Sequence, residues 1–113
     1  MKLENIKHFI ETELALYSAS FKKGKYKVAF KHLERIHIVS QPHPVRHTLI
    51  HLRMLRFALL RFKPVEILVQ ILYSLFSAKF SLFNIYPRGN TGGANAVKKG
   101  TMTIPKDLEQ FIN

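Results

Sequence analysis

The sequence predicts an all-α fold, either a four-helix up-down bundle or a pair of stacked helical hairpins, with an ordered glycine-rich C-terminal tail. Three observations lead there. Apolar residues recur at helical spacing through four consecutive segments. Glycine and proline fall between those segments, where they end helices. β-Branched alternation is nowhere sustained, so no strand is expected.

The first helix is expected over about residues 3–21, stopping before Lys22-Lys23-Gly24, because glycine suits the left-handed end of a helix. The second is expected over about 26–40. Gln41-Pro42-His43-Pro44 ends it, since proline cannot continue a helix and restricts the residue before it. The third covers about 44–62, with Pro44 in its first turn. Pro64 sets the next boundary, and the fourth helix covers about 64–80. The tail, 86–113, opens on the turn-rich stretch Pro87 to Asn95. It closes with a short helix over Pro105 to Ile112, with Thr103 near its cap. One domain over 1–113 is expected, since a chain of this length buries roughly two-thirds of its unfolded surface.

The 47% hydrophobic content excludes a disordered or collagen-like chain. The absence of cysteine excludes disulfides, thiolate nucleophiles, iron–sulfur clusters and cysteine-based zinc sites, leaving six histidines as the soft nitrogen ligands. Charges in Met1-Lys2-Leu3-Glu4 argue against a signal peptide. Ile67 to Phe83 is the most apolar stretch, but it contains Gln70 and Lys79 and follows Glu66. It is read as a buried core helix, because a spanning helix needs about 20 mostly apolar residues. A cytoplasmic location is expected.

The net charge is +11, and residues 22–63 hold eleven bases against Glu34 alone. Such a field attracts polyanions. It reads either as a solvated face or as a surface for an acidic protein or nucleic acid. No nucleic-acid motif accompanies it.

The histidines divide by face. Each helical residue advances about 100°. In the third helix Leu52, Met54, Leu55, Ala58, Leu59 and Phe62 share a broad arc, and His47 and His51 fall inside it. In the second helix Tyr26, Ala29, Phe30, Leu33 and Ile36 define the apolar arc. His37 lies within that arc and Glu34 at its margin. His32 falls among Lys27, Lys31 and Arg35 and is expected to be solvated, as is His8. In the fourth helix Glu66, Gln70, Ser74 and Ser77 form a polar stripe on an otherwise apolar element.

Buried polar and charged groups are paired, hydrogen-bonded or metal-bound. Glu34-x-x-His37 has the i, i+3 spacing of carboxylate metal sites in helical bundles. His47-x-x-x-His51 has the i, i+4 spacing that sets two imidazoles on one ion, although Thr48 removes any metalloprotease signature. Glu66 would add a carboxylate from a third helix. The candidate ligands are therefore Glu34, His37, His47, His51 and Glu66, with Gln41 and Gln70 orienting them from one turn further on. Imidazole and carboxylate together suit zinc foremost, with iron, manganese or nickel as alternatives. If water kept one coordination position, the ion would lower its pKa and support hydrolysis, with Glu66 as general base. Gly89, Asn90, Thr91, Gly92 and Gly93 lack the Gly-Lys-Ser/Thr ending of a phosphate loop and read as turn residues packing the tail across the bundle.

Two resemblances follow. Leu33-Glu34-Arg35-Ile36-His37, His47 through Leu55, Glu66, and Pro87-Arg88-Gly89-Asn90-Thr91-Gly92-Gly93 together resemble a small bacterial family catalogued as domain of unknown function 3703. The likeness extends through Met102-Thr103-Ile104-Pro105 and Asp107-Leu108, and Gly-Asn-Thr-Gly-Gly is its most specific part. The family has Ala where Ile36 stands, and Gly-Gln where Ser40-Gln41 and Val69-Gln70 stand, departures that affect packing and spare the candidate ligands. It implies no activity. Gly24-Lys25-Tyr26, Ala29, Leu33 and Pro42 also resemble tetratricopeptide-like hairpins, but the step from Ala29 to Leu68 exceeds the usual repeat of about 34 residues.

The leading expectation is a divalent-metal-binding helical protein with a His/Glu site in its interior. The alternative is a metal-free basic interaction module.

Overall fold

The computed structural model describes residues 2–83, 92–94 and 104–112, and every regular element among them is helical. The elements are α1 (Lys2–Lys22), α2 (Tyr26–Ser40), α3 (Pro44–Leu60), α4 (Pro64–Leu82), a 3₁₀ turn (Lys106–Leu108) and α5 (Glu109–Ile112). The helices follow chain order in space: α1 packs on α2, α2 on α3, and α3 on α4.

The helix ends obey local chemistry. After α1, Gly24 takes φ 75°. The amide of Gly24 reaches the Phe21 carbonyl and that of Lys25 reaches Ser20, the paired bonds of a Schellman stop. Pro44 and Pro64 each sit in the first turn of a helix, where the missing N–H costs nothing. The end of α3 repeats the Schellman pattern, Phe62 to Leu59 and Lys63 to Ala58. There the left-handed position, φ 51°, is held by Phe62 and not by glycine.

Two apolar clusters hold the molecule. Ala29, Leu33 and Ile36 of α2 meet Ile50, Met54 and Phe57 of α3, with Tyr17 and Phe21 of α1 packed against them. Ile6, Ile38 and Val39 enclose Leu108, so the C-terminal segment closes the α1–α2 end. Phe9 stacks on Phe111 there at 4.8 Å. Buried Glu13 accepts hydrogen bonds from Arg35 and His32, and Arg35 also reaches Asp107. The sequence predicts a solvated His32. It is instead half-buried, because α1 brings Glu13 to a ring nitrogen.

Two further expectations need correction. In α3 the buried side chains are His47, Ile50, His51, Met54, Phe57 and Ala58, while Leu52, Leu59 and Phe62 are exposed. The arc drawn from the sequence is wider than the neighbouring helices cover. In α4 the polar stripe is the inner side and the apolar side is uncovered. The buried residues of α4 are Gln70, Ser77 and Ser81, and Leu68, Leu72 and Leu75 face outward. It is not the buried core helix expected. By length and composition alone it is apolar enough to cross a membrane, and 17% of that stretch is buried within the chain.

Candidate metal centre

His37 on α2 and His47 and His51 on α3 converge in the interior, each at most 3% exposed. The i, i+4 spacing on α3 stacks two imidazoles on the side facing α2. Their Nε2 atoms form a near-equilateral triangle. His37 lies 3.1 Å from His47 and 3.0 Å from His51, and the remaining edge is 3.2 Å. With zinc–nitrogen bonds of about 2.0–2.1 Å, the same edge would be about 3.3 Å in a tetrahedron and about 2.9 Å between adjacent positions of an octahedron. The triangle falls between these values.

The surrounding hydrogen bonds fix which nitrogens carry protons. The Gln70 amide nitrogen donates to the Glu66 carboxylate and to the Gly92 carbonyl, each at 2.7 Å. Both partners are acceptors, so the Gln70 oxygen must face His51 Nδ1, 2.6 Å away. His51 is therefore protonated on Nδ1, and its Nε2 lone pair points at the triangle. Ser81 Oγ donates to the Gln41 carbonyl and so accepts from His47 Nδ1 at 2.7 Å. His47 is thereby set in the same tautomer. Burial pushes the His47 and His51 pKa values down to about 4. Both rings are neutral ligands at neutral pH.

Two lone pairs 3.2 Å apart repel unless something positive stands between them. A bound cation does this directly. The remaining option is a single His37 Nε2–H shared between both acceptors.

The five expected ligands do not all meet. Among the described residues the group of ligand atoms within 4.8 Å of one another is His37, His47 and His51. Glu66 stands one helical turn before Gln70 and acts through it. It also accepts the Ala94 backbone N–H on both oxygens at 3.1 Å. Glu34 is half-buried on α2, outside the triangle. Gln41 contributes its backbone carbonyl through Ser81.

Three features escaped the sequence reading. Ser81 lies four residues beyond Ser77 and extends the polar stripe, past the end near residue 80 that the sequence predicts for the fourth helix. Thr48 meets Ser77 at 3.1 Å and ties α3 to α4 beside the site. Gly92, at φ 87°, lies so close to His37 that a Cβ there would come within 2.5 Å of the ring. Gly93 packs less tightly, with an added Cβ 3.1 Å from Phe30 and 3.3 Å from Glu66. Of the loop residues expected to pack the tail, the described Gly92 and Gly93 lie at the site itself. Gly89, Asn90 and Thr91 lie outside the described residues.

The sequence profile of the family described as Protein of unknown function (DUF3703) matches residues 4–112. The chain belongs to this family. The match spans all three histidines, Glu66, Gln70 and the Gly92–Gly93 pair. No curated protein and no solved structure matches the chain.

Proposed function

We propose that this DUF3703 protein binds one divalent metal ion through Nε2 of His37, His47 and His51. The observation that carries the reading is the triangle of three converging imidazole nitrogens, two of them locked in the ligating tautomer from behind. Such backing is what metal-ligating histidines need, because the partner on the far nitrogen fixes ring orientation and raises basicity. Three neutral imidazoles without a carboxylate favour zinc, then iron or nickel, and place manganese last. The ion ties α2 to α3 directly, and α4 and the Gly92 segment through Gln70. A three-ligand site keeps a position for water or an exogenous ligand, which the ion would acidify. Glu66 is then a positioning residue, since its oxygens are spent on Gln70 and Ala94.

The test is elemental analysis of the full chain, followed by metal titration of chelated protein. Near-stoichiometric zinc, or a rise in melting temperature with zinc, supports the reading, provided a His47→Ala, His51→Ala double variant loses it. Metal-free protein with no melting shift from any divalent ion overturns it. In that case the triangle is a hydrogen-bonded polar core.

A further inference from the structure

The α3–α4 hairpin carries an apolar surface that nothing in the described chain covers. Phe62 is 87% exposed at its tip, and Val65, Leu68, Leu72, Leu75 and Leu82 continue along the outer side of α4. The α4 positions recur at three- and four-residue steps, so they form one stripe. Lys79 sits in the same stripe between Leu75 and Leu82. On α3 Leu52 and Leu59 are exposed, whereas Leu49 and Arg53 line a pocket against α1.

Phe62 is the most informative residue. It holds the left-handed position of a Schellman stop, where glycine is favoured and a bulky side chain is strained. Its ring gains almost no packing within the chain in return. A strained, exposed aromatic between Arg61 and Lys63 points to contact with something outside the molecule.

Charge decides what that is. The cations beside this stripe are Arg61 and Lys63 at the tip and Lys79 within it; the single acid of residues 44–83, Glu66, is engaged with Gln70 and Ala94, and Arg46 and Arg53 line a pocket against α1 instead. Among the described residues none of Arg61, Lys63 and Lys79 is in an ion pair, and Arg61 stacks on the Tyr26 ring. A second copy docked on this face would set cations against cations with no free acid. A nucleic acid would satisfy the cations and leave the leucines wet. An anionic bilayer satisfies both, since phosphates meet the Lys and Arg side chains while Phe62 and the α4 leucines enter the interface. We propose that the α3–α4 hairpin is a peripheral binding surface for anionic lipid membranes, with Phe62 as its inserting tip.

The experiment is co-sedimentation of the full chain with phosphatidylcholine vesicles, with and without phosphatidylglycerol, across a salt series. Binding is expected to need phosphatidylglycerol and to weaken with salt. Phe62→Gly is expected to raise the melting temperature, because it relieves the left-handed strain, yet to weaken vesicle binding about tenfold. A Leu68→Ser, Leu75→Ser variant changes only exposed positions and is expected to stay folded and lose binding further. The proposal is overturned by absence of binding to phosphatidylglycerol vesicles, or by binding that neither variant weakens. It is equally overturned by a dimer in solution that Leu75→Glu dissociates and that shows no vesicle binding.

Discussion

The side-chain oxygen of Gln70 stands 2.6 Å from Nδ1 of His51 and determines where the His51 lone pair points. The relay continues to Glu66, which holds the other end of the same amide. Gln70→Ala is expected to leave the helices intact and to weaken metal binding by about 10–100-fold. Competition against a coloured chelator measures this. An affinity equal to that of the parent chain would show that His51 needs no orientation from α4.

Gly92 and Gly24 both have positive φ, but they differ in surroundings. At Gly24 an added Cβ would meet nothing within 4 Å, so Gly24→Ala should cost only the left-handed penalty of about 1 kcal/mol. At Gly92 the same methyl would collide with the His37 ring. Gly92→Ala is expected to cost more than about 2 kcal/mol and to lower metal content as His37 is displaced. Urea denaturation of the two variants side by side measures the difference. Equal losses would contradict the close packing of Gly92 on His37.

The helix limits were legible because they are local. Gly24, Pro42, Pro44 and Pro64 act through their own backbone chemistry, and no tertiary information is needed to read them. The inward placement of His37, His47 and His51 was legible from the wheel, since each lies among apolar neighbours on its own helix. What failed was long-range. Nothing near His32 in sequence announces Glu13, nineteen residues earlier, as its partner. The wheel of α4 separates Gln70 and Ser77 from the leucines and turns that polar stripe toward the site, but it does not say that the leucines are left outside. An apolar side is ordinarily the inner one. Here α3 offers His51 and Thr48 to α4, and these select the polar side.

The buried imidazoles make the stability of chelated protein depend on pH. An unfolded histidine titrates near 6.5, whereas folded His47 and His51 titrate at about 4 because burial disfavours the charged form. Between those values the unfolded chain binds more protons than the folded one, so stability falls as pH falls. Stability is expected to be flat above about pH 7 and to decline from 6.5 towards 4, by about 3 kcal/mol for each imidazole taken alone. Urea midpoints across that range measure it, and the His47→Ala, His51→Ala variant should show a much shallower decline. An equal slope in the variant would assign the acid sensitivity elsewhere.

Glu13 and Asp107 both bind Arg35, yet they should contribute very differently. Glu13 is 4% exposed and holds Arg35 at 2.5 Å and His32 at 2.6 Å, which fixes α1 against α2. Asp107 has a side chain 58% exposed, and its pKa is lowered by the hydrogen bond from Arg35. Exposed ion pairs contribute little because water screens them and ordering two long side chains offsets the gain. A buried acceptor serving two donors is different, since its loss leaves both poorly solvated. Glu13→Ala is therefore expected to cost about 2 kcal/mol, and Asp107→Ala less than about 1 kcal/mol. Salt separates them further. Added sodium chloride should erase most of the Asp107 effect and little of the Glu13 effect, because screening acts mainly on charges in contact with solvent. Denaturation of both variants at low and high salt checks this, and a Glu13→Ala loss that vanished in salt would mean that the site is open to water.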